Sequence, residues 1–286
     1  MSYKKQKNMV LVTFLFLPLL ILLTFSYYPA VRLLQYSFTD WDGLSKQLHY
    51  IGLDNYKEIF TTPETFSVFA HNAAYFVFSI AQTIVGLFLA VILNNLKRGS
   101  KLYRSTLFMP YIMNSVAVAY MFAFLYEYNS GGINTVLQAM GIGKIAFLSN
   151  PLLVNFSLAT VGFWRFTGFS MVVFLGALQS VDTNLYEAAS IDGANAWRKF
   201  TNITLPSIKT IVELQLFLSI SGAMKAFDEA FAITKGGPNG ASETFVMRTM
   251  SVAFEHNNFG FASAMGIVLM VIILIVTRIS NRLAKK

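Results

Sequence analysis

The sequence has no cysteine, few charged residues and only three histidines, and each shortage excludes a kind of chemistry. Without cysteine there is neither a disulfide framework nor a thiolate metal site. The histidines, His49, His71 and His256, are too dispersed in sequence to suggest a metal site. Charged residues make up only 13% of the chain, whereas a soluble domain typically has about 25%. The composition therefore indicates a protein of the lipid bilayer.

A nucleotide-binding loop is also missing. The nearest approach to the pattern G-x-x-x-x-G-K-[ST] is Gly143-Lys144, where Gln138 replaces the first glycine and Ile145 follows the lysine. We therefore expect no catalysis by this chain and no cofactor or metal bound to it. If ATP and magnesium drive its function, a partner must use them.

What the chain has in abundance is long apolar runs. Hydrophobic residues make up 55% of it, with 27 Phe and 13 Tyr, and the runs Met9–Val31 and Ser105–Tyr126 carry no charge. About 20 apolar residues cross a bilayer as a helix. We predict an all-α polytopic membrane protein with six transmembrane helices in a single domain, 9–286, after an N-terminal segment, 1–8. The predicted spans are about 9–31, 67–95, 105–127, 152–178, 210–234 and 260–279.

The basic residues are distributed unevenly between the two sides that these spans define. With the N-terminus inside, the inner segments hold 14 of the 22 Lys and Arg residues and the outer segments six, while 8 of the 14 acids lie outside. This asymmetry follows the positive-inside rule and predicts that both termini are cytoplasmic. The net charge of +8 thus reflects topology, and we expect membrane lipid rather than nucleic acid as a partner. The first apolar run lacks an A-x-A-like cleavage site after it, so we predict an uncleaved span rather than a signal peptide.

A polar segment of small residues, about 180–209, lies on the predicted inner side between the fourth and fifth spans. Its first part, Leu185–Asn195, is predicted to form a short helix that ends in a tight turn at Asp192-Gly193, because glycine tolerates positive φ. Small residues let a partner's backbone come close, and the carboxylate of Glu187 could pair with a partner's arginine. The alternative interpretation is a solvated loop with helical propensity.

The spacing of this segment resembles the EAA loop of ATP-binding-cassette (ABC) importer permeases. The matching positions are Glu187, Ala188, Ala189, Gly193, Ile203, Leu205 and Pro206, and Asp192 and Ala194 also agree with the family. In that family the loop carries the coupling helix, which sits in a groove of the cytoplasmic ATPase subunit. The resemblance implies a type I importer permease fold and a coupling role for Glu187, Ala188, Ala189, Asp192, Gly193 and Ala194.

Other stretches are similar to the carbohydrate-uptake permeases of the maltose and glycerol-phosphate type. They include Gly52–Tyr56, Thr234–Pro238 and Phe259–Ala264. The resemblance implies a bacterial plasma-membrane permease for a sugar or related solute, paired with a second permease, two ATPase subunits that use ATP and magnesium, and an extracytoplasmic solute-binding protein. The chain lacks the two extra N-terminal spans and the large outer domain of some maltose permeases, so contacts made there do not carry over.

Ionisable residues inside predicted spans are candidates for the transport pathway, because burying them in lipid is costly. Arg165 lies in the middle of the fourth span. Lys225, Asp228 and Glu229 are spaced i, i+3 and i+4 in the fifth span, so we expect them to share one helix face, on which they could pair with one another. Two interpretations stay open: a self-neutralised patch near the outer end of the span, or a wall or gate of the pathway.

Further pathway residues follow from the resemblance to maltose-type permeases, whose fourth and fifth core spans line the substrate cavity. It brings six residues of this chain to the lining positions: Phe166, Phe169, Ser219, Gly222, Ala223 and Ala226. The asparagines often found in the fifth span of that family are absent here, which leaves room for a larger solute or leaves recognition to the partner permease. The alternative is that Gly222, Ala226 and Ala230 form a close helix-packing face.

Three functions are compatible with these observations. The first is a permease subunit of an ATP-driven, binding-protein-dependent sugar importer, which forms half of the translocation pathway. The second is an ion-coupled secondary transporter that uses Lys225, Asp228 and Glu229 as its relay. The third is a membrane scaffold or sensor that recruits an ATPase without transporting a solute. The match across the EAA positions favours the first.

Overall fold

A computed structural model describes residues 3–96 and 98–284, and in these ranges the chain is built from helices. Three basic residues counted toward the inner side, Lys97, Lys285 and Lys286, lie outside the described residues. A π-helical turn, Leu23–Tyr27, interrupts the first helix, and a second one, Phe200–Thr204, precedes a helical turn at Leu205–Ser207. The helices are α1 (Tyr3–Tyr36), α2 (Asp54–Thr61), α3 (Pro63–Asn95), α4 (Ser100–Ile112), α5 (Ser115–Leu125), α6 (Gly132–Ala139), α7 (Val154–Leu178), α8 (Thr183–Ile191), α9 (Ala196–Lys199), α10 (Lys209–Met224), α11 (Asp228–Ile233), α12 (Phe245–Phe254) and α13 (Phe259–Ala284).

Five stretches of helix are long and apolar enough to cross a membrane: α1, α3, α7, α10 together with α11, and α13. The pair α4 and α5 makes a sixth crossing if the two count as one span. The predictions of an all-α fold and of six transmembrane helices are confirmed on that count.

The third crossing departs from the continuous helix that its uncharged run predicts. The axes of α4 and α5 meet at 95°, with extended backbone at Met113 between them. The cause is Asn114, whose side-chain oxygen accepts hydrogen bonds from the backbone N–H groups of Val116 (2.9 Å) and Ala117 (3.2 Å). An asparagine that caps a helix in this way starts a new one, because it satisfies N–H groups that the preceding turn would otherwise bind.

The fifth crossing is interrupted as well, and this overturns the prediction that its charged residues share one helix face. Helix α10 ends at Met224 and α11 begins at Asp228, so Lys225, Asp228 and Glu229 do not share one continuous helix face. Among the described residues no ion pair joins Lys225 to either carboxylate, and the partner of Glu229 is Arg165 of α7. A shared face requires one continuous helix from Lys225 to Glu229, and the break between α10 and α11 removes that condition.

The chain divides into two compact units, of which the first comprises residues 1–66 and 249–271. Here the loop after α1 is folded against the start of α13. The side-chain amide of Asn55 donates to the carbonyls of Ser37 (3.0 Å) and Thr39 (2.8 Å), and a side chain at Gly260 would overlap the carbonyl of Thr39. In the same loop the backbone N–H groups of Ser45 and Leu44 lower the pKa of Asp42 to about 2.

The second unit comprises residues 67–248 and 272–286 and contains the bundle of α3, α4, α7, α10 and α11. Two glycines allow these helices to approach closely. A side chain at Gly168 of α7 would overlap the carbonyl oxygen of Leu107 in α4, and one at Gly86 of α3 would overlap Ser170 in α7. Because interiors are close-packed, backbone contact at these two points fixes the bundle that surrounds the cavity described next.

Candidate functional site

A cavity of about 440 Å³ lies among α3, α4, α7, α10 and α11 of the second unit. This volume is within the range of about 300–1,000 Å³ typical of small-molecule sites. Its lining combines aromatic rings, small residues and polar groups from five helices. The lining residues are Tyr75, Phe78, Ser79, Gln82, Tyr111, Ala159, Gly162, Phe163, Arg165, Phe166, Phe169, Gln215, Leu218, Ser219, Gly222, Ala223, Lys225, Ala226, Phe227, Asp228 and Glu229.

All ten residues that the sequence suggested for a pathway lie on this cavity. They are Arg165, Phe166, Phe169, Ser219, Gly222, Ala223, Ala226, Lys225, Asp228 and Glu229. Sequence reasoning missed the contribution of α3 and α4, which supply Tyr75, Gln82 and Tyr111, and it missed Gln215 in α10. Polar amides within long apolar runs are the signal that could have found the two glutamines, because such groups need partners when they are buried.

One wall of the cavity is aromatic. The ring of Tyr111 in α4 stacks on Phe169 in α7 with centroids 4.6 Å apart, and it meets Phe166 edge-on at 5.9 Å. On another side Phe163 meets Phe78 of α3 edge-on, also at 5.9 Å. Stacked and edge-on rings of this kind hold one another in place, so the wall is a preformed apolar surface.

An ion pair lies at the end of the cavity nearest α11. The Nη1 atom of Arg165 is 3.6 Å from the Oε1 atom of Glu229, and the side chains are only 14% and 11% exposed. The separation exceeds the roughly 2.7–2.9 Å of a charge-assisted hydrogen bond. The guanidinium also lies 5.1 Å from the ring centroid of Phe166. With Lys225 and Asp228 nearby, this end carries two basic and two acidic groups.

Uncharged polar side chains from three helices meet beside the cavity, and Gln82, Gln215 and Ser219 among them line it. The amide nitrogens of Gln215 (2.7 Å) and Gln82 (3.0 Å) both donate to the hydroxyl of Ser170. Beside them the hydroxyl of Thr83 donates to that of Ser219 over 3.0 Å. These contacts join α3, α7 and α10 at one level, and all five side chains are buried. Buried hydrogen bonds of this kind fix the relative positions of the helices that they join.

The small residues of α10 and the segment after it have two different environments. A side chain added at Gly222 would meet no atom within 4 Å, so the close-packing interpretation fails at this position, where the cavity itself provides the space. Ala226 and Ala230 are instead buried in the apolar core formed with Leu158 and Val154 of α7. Gly222 therefore belongs to the cavity, whereas Ala230 belongs to the packing.

The segment 180–209 forms a helical hairpin whose first helix, α8, contains Glu187, Ala188 and Ala189, while the other matching residues follow this helix. Asp182 caps its start by accepting from the N–H of Asn184 (2.9 Å). At its end the N–H of Ala194 donates to the carbonyl of Ala189 (2.8 Å) and that of Gly193 to Ser190 (3.1 Å), with φ +75° at Gly193. These two bonds and the left-handed glycine define a Schellman motif. The distance in sequence from Ala189 to Gly193 and Ala194 is therefore the one that a Schellman motif needs to end a helix.

The second part of the hairpin returns along α8. Asn195 caps α9 through the N–H of Arg198, and the hydroxyls of Tyr186 and Thr204 lie 2.9 Å apart. No residue of α8 or α9 is buried. Two large apolar side chains stand out on this surface, since Ile191 is 88% and Trp197 is 70% exposed.

A cavity that is both aromatic and polar, enclosed by helices of which α3, α7 and the pair α10 and α11 are long and apolar enough to cross a membrane, is characteristic of membrane transport proteins. Among the residues 3–96 and 98–284, no group of three or more His, Asp or Glu side chains could hold a metal ion. The sequence of residues 82–286 matches the family described as binding-protein-dependent transport system inner membrane component. The chain belongs to this family and is a permease subunit of an ABC importer.

Two curated relatives illustrate this membership. The chain is 36% identical to the probable ABC transporter permease protein YesP of Bacillus subtilis, over 85% of this chain and 80% of that protein. It is 29% identical to the multiple sugar-binding transport system permease protein MsmF of Streptococcus mutans, over 96% and 94% of the two chains. The ion-coupled transporter that the charged residues of the fifth span left open is not supported by these relatives.

A solved structure supports the fold. A chain in the crystal structure of a bacterial ABC transporter that imports the acidic polysaccharide alginate superimposes with a TM-score of 0.80 at 23% identity. The match covers 99% of this chain and 98% of that one. The architecture described above is therefore that of an ABC importer permease.

Proposed function

We propose that this chain forms half of the translocation pathway of a sugar importer and that its cavity is the part of the pathway that the solute enters. The observation that carries the proposal is the lining itself, which combines stacked aromatic rings with buried amides and hydroxyls. Sugars present apolar faces and a rim of hydroxyl groups, and a site of this composition matches both. The relative named for multiple sugar-binding transport supports the same solute class.

The EAA segment is proposed to be the coupling surface for an ATPase subunit. Its hairpin is held by backbone and hydroxyl contacts, while Glu187, Ala188 and Asp192 point their side chains into solvent beside the exposed Ile191. An exposed apolar residue among small ones on a rigid helix favours a protein partner. We propose that ATP-driven closure of two ATPase subunits moves this hairpin, and that the chain itself is not catalytic and binds no cofactor.

The remaining partners follow from the family. Its description names a binding protein, and we propose that an extracytoplasmic solute-binding protein delivers the sugar to this chain and a second permease. The excess of basic residues in alternate segments supports cytoplasmic termini and a cytoplasmic EAA segment in a bacterial plasma membrane.

Reconstitution of the complete complex tests the energy source and the cargo together. The chain is co-purified with its partner permease, ATPase and binding protein and placed in liposomes, and uptake of neutral and acidic oligosaccharides is measured. We expect uptake of a sugar that requires enclosed ATP and is unaffected by a proton ionophore. Uptake that an ionophore abolishes and ATP does not support would contradict the proposal, as would the absence of uptake for every sugar.

The orientation has a separate test that exploits the absence of cysteine, because a single introduced thiol is then the only one in the chain. Leu44→Cys lies in the loop after α1 and Asn184→Cys in the EAA segment, and both positions are exposed. A membrane-impermeant maleimide should label Leu44→Cys in intact cells and Asn184→Cys only after permeabilisation. The reverse pattern would invert the proposed topology.

A further inference from the structure

The break in the fifth crossing is held by side chains from other parts of the second unit. Helix α10 ends at Met224 and α11 begins at Asp228, and no proline stands between them. In an uninterrupted helix each carbonyl accepts from the N–H group four residues later. Around this break three carbonyls accept from buried side chains instead of from that N–H group. The cause of the break therefore lies outside the crossing itself.

Asn72 of α3 binds two of these three carbonyls. Its side-chain nitrogen donates to the carbonyl oxygens of Ala223 (3.0 Å) and Met224 (3.4 Å), and the residue is 0% exposed. A continuous helix would need the same two carbonyls for the N–H groups of Phe227 and Asp228. The amide of Asn72 thus competes with the helix for its own acceptors.

Thr244, the residue before α12, binds the third carbonyl. Its hydroxyl donates to the carbonyl oxygen of Ala226 over 2.7 Å, and this residue is also 0% exposed. A continuous helix would need that carbonyl for the N–H group of Ala230. The backbone N–H of Phe245, the next residue, donates to the side-chain oxygen of Asn72 (3.4 Å). Asn72 and Thr244 therefore form one buried set of contacts around the break.

The break decides which partner Glu229 has. In a continuous helix Lys225 and Glu229 would be neighbours at i and i+4 on one face. In the structure Glu229 lies 3.6 Å from Arg165 of α7 instead. Lys225 and Asp228 are exposed on the cavity, and no hydrogen bond or ion pair to their side chains is found in the part of the chain that the structure describes. The break thus replaces an ion pair within one helix by one that joins α11 to α7.

We propose that Asn72 and Thr244 are positioning residues that keep the fifth crossing broken. The break in turn places Glu229 against Arg165 and leaves Lys225 free at the cavity. Neither Asn72 nor Thr244 lines the cavity, so both act through the crossing that they hold. The inference rests on the proposed function only where it concerns uptake, because the arrangement itself is tested without a solute.

Hydrogen exchange at single backbone positions of the purified permease and ATPase complex tests the arrangement. The N–H groups of Phe227 and Asp228 have no acceptor among the described residues, and both residues line the cavity. In the wild type they should exchange about tenfold faster than those of Ser219 and Ile220 within α10. Asn72→Leu frees the two carbonyls, so the helix should continue and exchange at Phe227 and Asp228 should slow about tenfold. A substitution that only loosened the fold would speed exchange.

Asn155→Leu is the matched control. Asn155 is also buried, at 8% exposed, and its amide donates to the carbonyl of Ala241 (2.7 Å), which is not a carbonyl of the break. Exchange at Phe227 and Asp228 should not slow in this variant. Exchange that is equally fast in Asn72→Leu and the wild type, or equally slow in both leucine variants, would overturn the proposal.

Thr244→Val provides a second variant in case Asn72→Leu does not assemble. The substitution keeps the shape of the side chain and removes the hydroxyl that binds the carbonyl of Ala226. Exchange at the N–H of Ala230 should then slow, because this carbonyl becomes available to it. Unchanged exchange at Ala230, or wild-type exchange at Phe227 as slow as within α10, would contradict the proposed role of these contacts.

A double-mutant cycle tests the change of partner. Lys225→Met should leave the melting temperature of the wild-type complex almost unchanged, because Lys225 has no partner among the described residues. In the Asn72→Leu background Lys225 and Glu229 would share a helix face, so Lys225→Met should lower the melting temperature by about 2 °C. An equal effect in both backgrounds would show that the break does not choose the partner of Glu229.

Uptake into liposomes tests whether the position matters for transport. In Asn72→Leu the maximal rate of ATP-driven sugar uptake should fall about tenfold, because α11 is no longer joined to α7 by the ion pair. The concentration of binding protein at half-maximal uptake should stay the same. Normal uptake together with slowed exchange at Phe227 would overturn the positioning role and leave the proposed importer intact. No sugar uptake by the wild type would instead contradict the proposed function, while the exchange result would still stand.

Discussion

The cavity of the second unit and the EAA segment both depend on small residues, but for opposite reasons. Around the cavity, Gly168 and Gly86 let helices touch, and most polar side chains are buried and paired across helices. In the EAA segment Gly193 stops a helix through its positive φ, no atom would crowd a side chain there, and Asp192 before it is exposed. The first region is stabilised by contacts between different helices, and the second by bonds within its own segment, from backbone groups, capping side chains and one hydroxyl pair.

This difference indicates what each region binds. The cavity is a preformed pocket whose rigid walls come from five helices, which suits a small solute. The EAA segment is a raised, self-supporting hairpin with Ile191 and Trp197 in solvent, which suits a groove on another protein. Substitutions should accordingly disturb the fold in the first region and the coupling in the second.

The largest expected effect comes from removing one member of the ion pair. Glu229→Leu leaves the guanidinium of Arg165 buried without its partner, which typically costs about 3–5 kcal/mol. We expect a clear fall in the melting temperature of the purified complex. The double variant Arg165→Met/Glu229→Leu removes both charges and should recover most of the stability. A single variant as stable as the wild type would show that this end of the cavity is not desolvated.

The next effect tests whether close packing fixes the cavity. Gly168→Ala forces a side chain onto the carbonyl of Leu107 and should cost about 1–3 kcal/mol, because α4 must shift away from α7. Gly176→Ala in the same helix is the control, since a side chain there meets no atom within 4 Å. It should be neutral or slightly stabilising, because alanine favours a helix over glycine. Equal melting temperatures for the two variants would contradict the packing argument.

In the EAA segment the expected change is in coupling rather than in folding. Gly193→Ala places a β-carbon at φ +75°, which costs about 1–2 kcal/mol and should displace the end of α8. We expect solute-stimulated ATP hydrolysis to fall about tenfold while the melting temperature of the bundle changes little. Gly193→Asn is the control, because asparagine tolerates this conformation. Equal rates of solute-stimulated ATP hydrolysis in both variants and the wild type would contradict the proposed coupling role.

The smallest effect concerns the other end of α8. Asp182→Ala removes the side-chain bond to the N–H of Asn184 and should destabilise this helix by about 1 kcal/mol. Faster hydrogen exchange at the backbone of Asn184 and the residues after it would report the change. Asp182→Asn keeps the cap and should exchange as the wild type does. Unaltered exchange in both variants would mean that the hairpin is stabilised elsewhere.

The sequence predicts the membrane-crossing helices well, because the thickness of a bilayer requires about 20 apolar residues in each and such runs are visible in the sequence. It does not reveal the 95° bend, since a single capping side chain, Asn114, determines it within an uncharged run. The pairing of Glu229 with Arg165 was missed for a related reason, because it depends on a break in the fifth crossing and on a second helix. The cavity residues that the family resemblance implies do lie together in the structure. Gln215 and Tyr75 also line the cavity, but they belong to no motif, so the sequence did not point to them.

The Schellman motif at Gly193 has a consequence for how such transporters diversify. The bonds that end α8 run between backbone atoms, so the exposed side chains of Glu187 and Ile191 have no part in holding the hairpin. In the coupling role proposed for this segment, substitutions at these two positions would change the surface offered to an ATPase subunit without changing the backbone bonds that end α8. Partner specificity and the shape of the hairpin could then vary independently of each other.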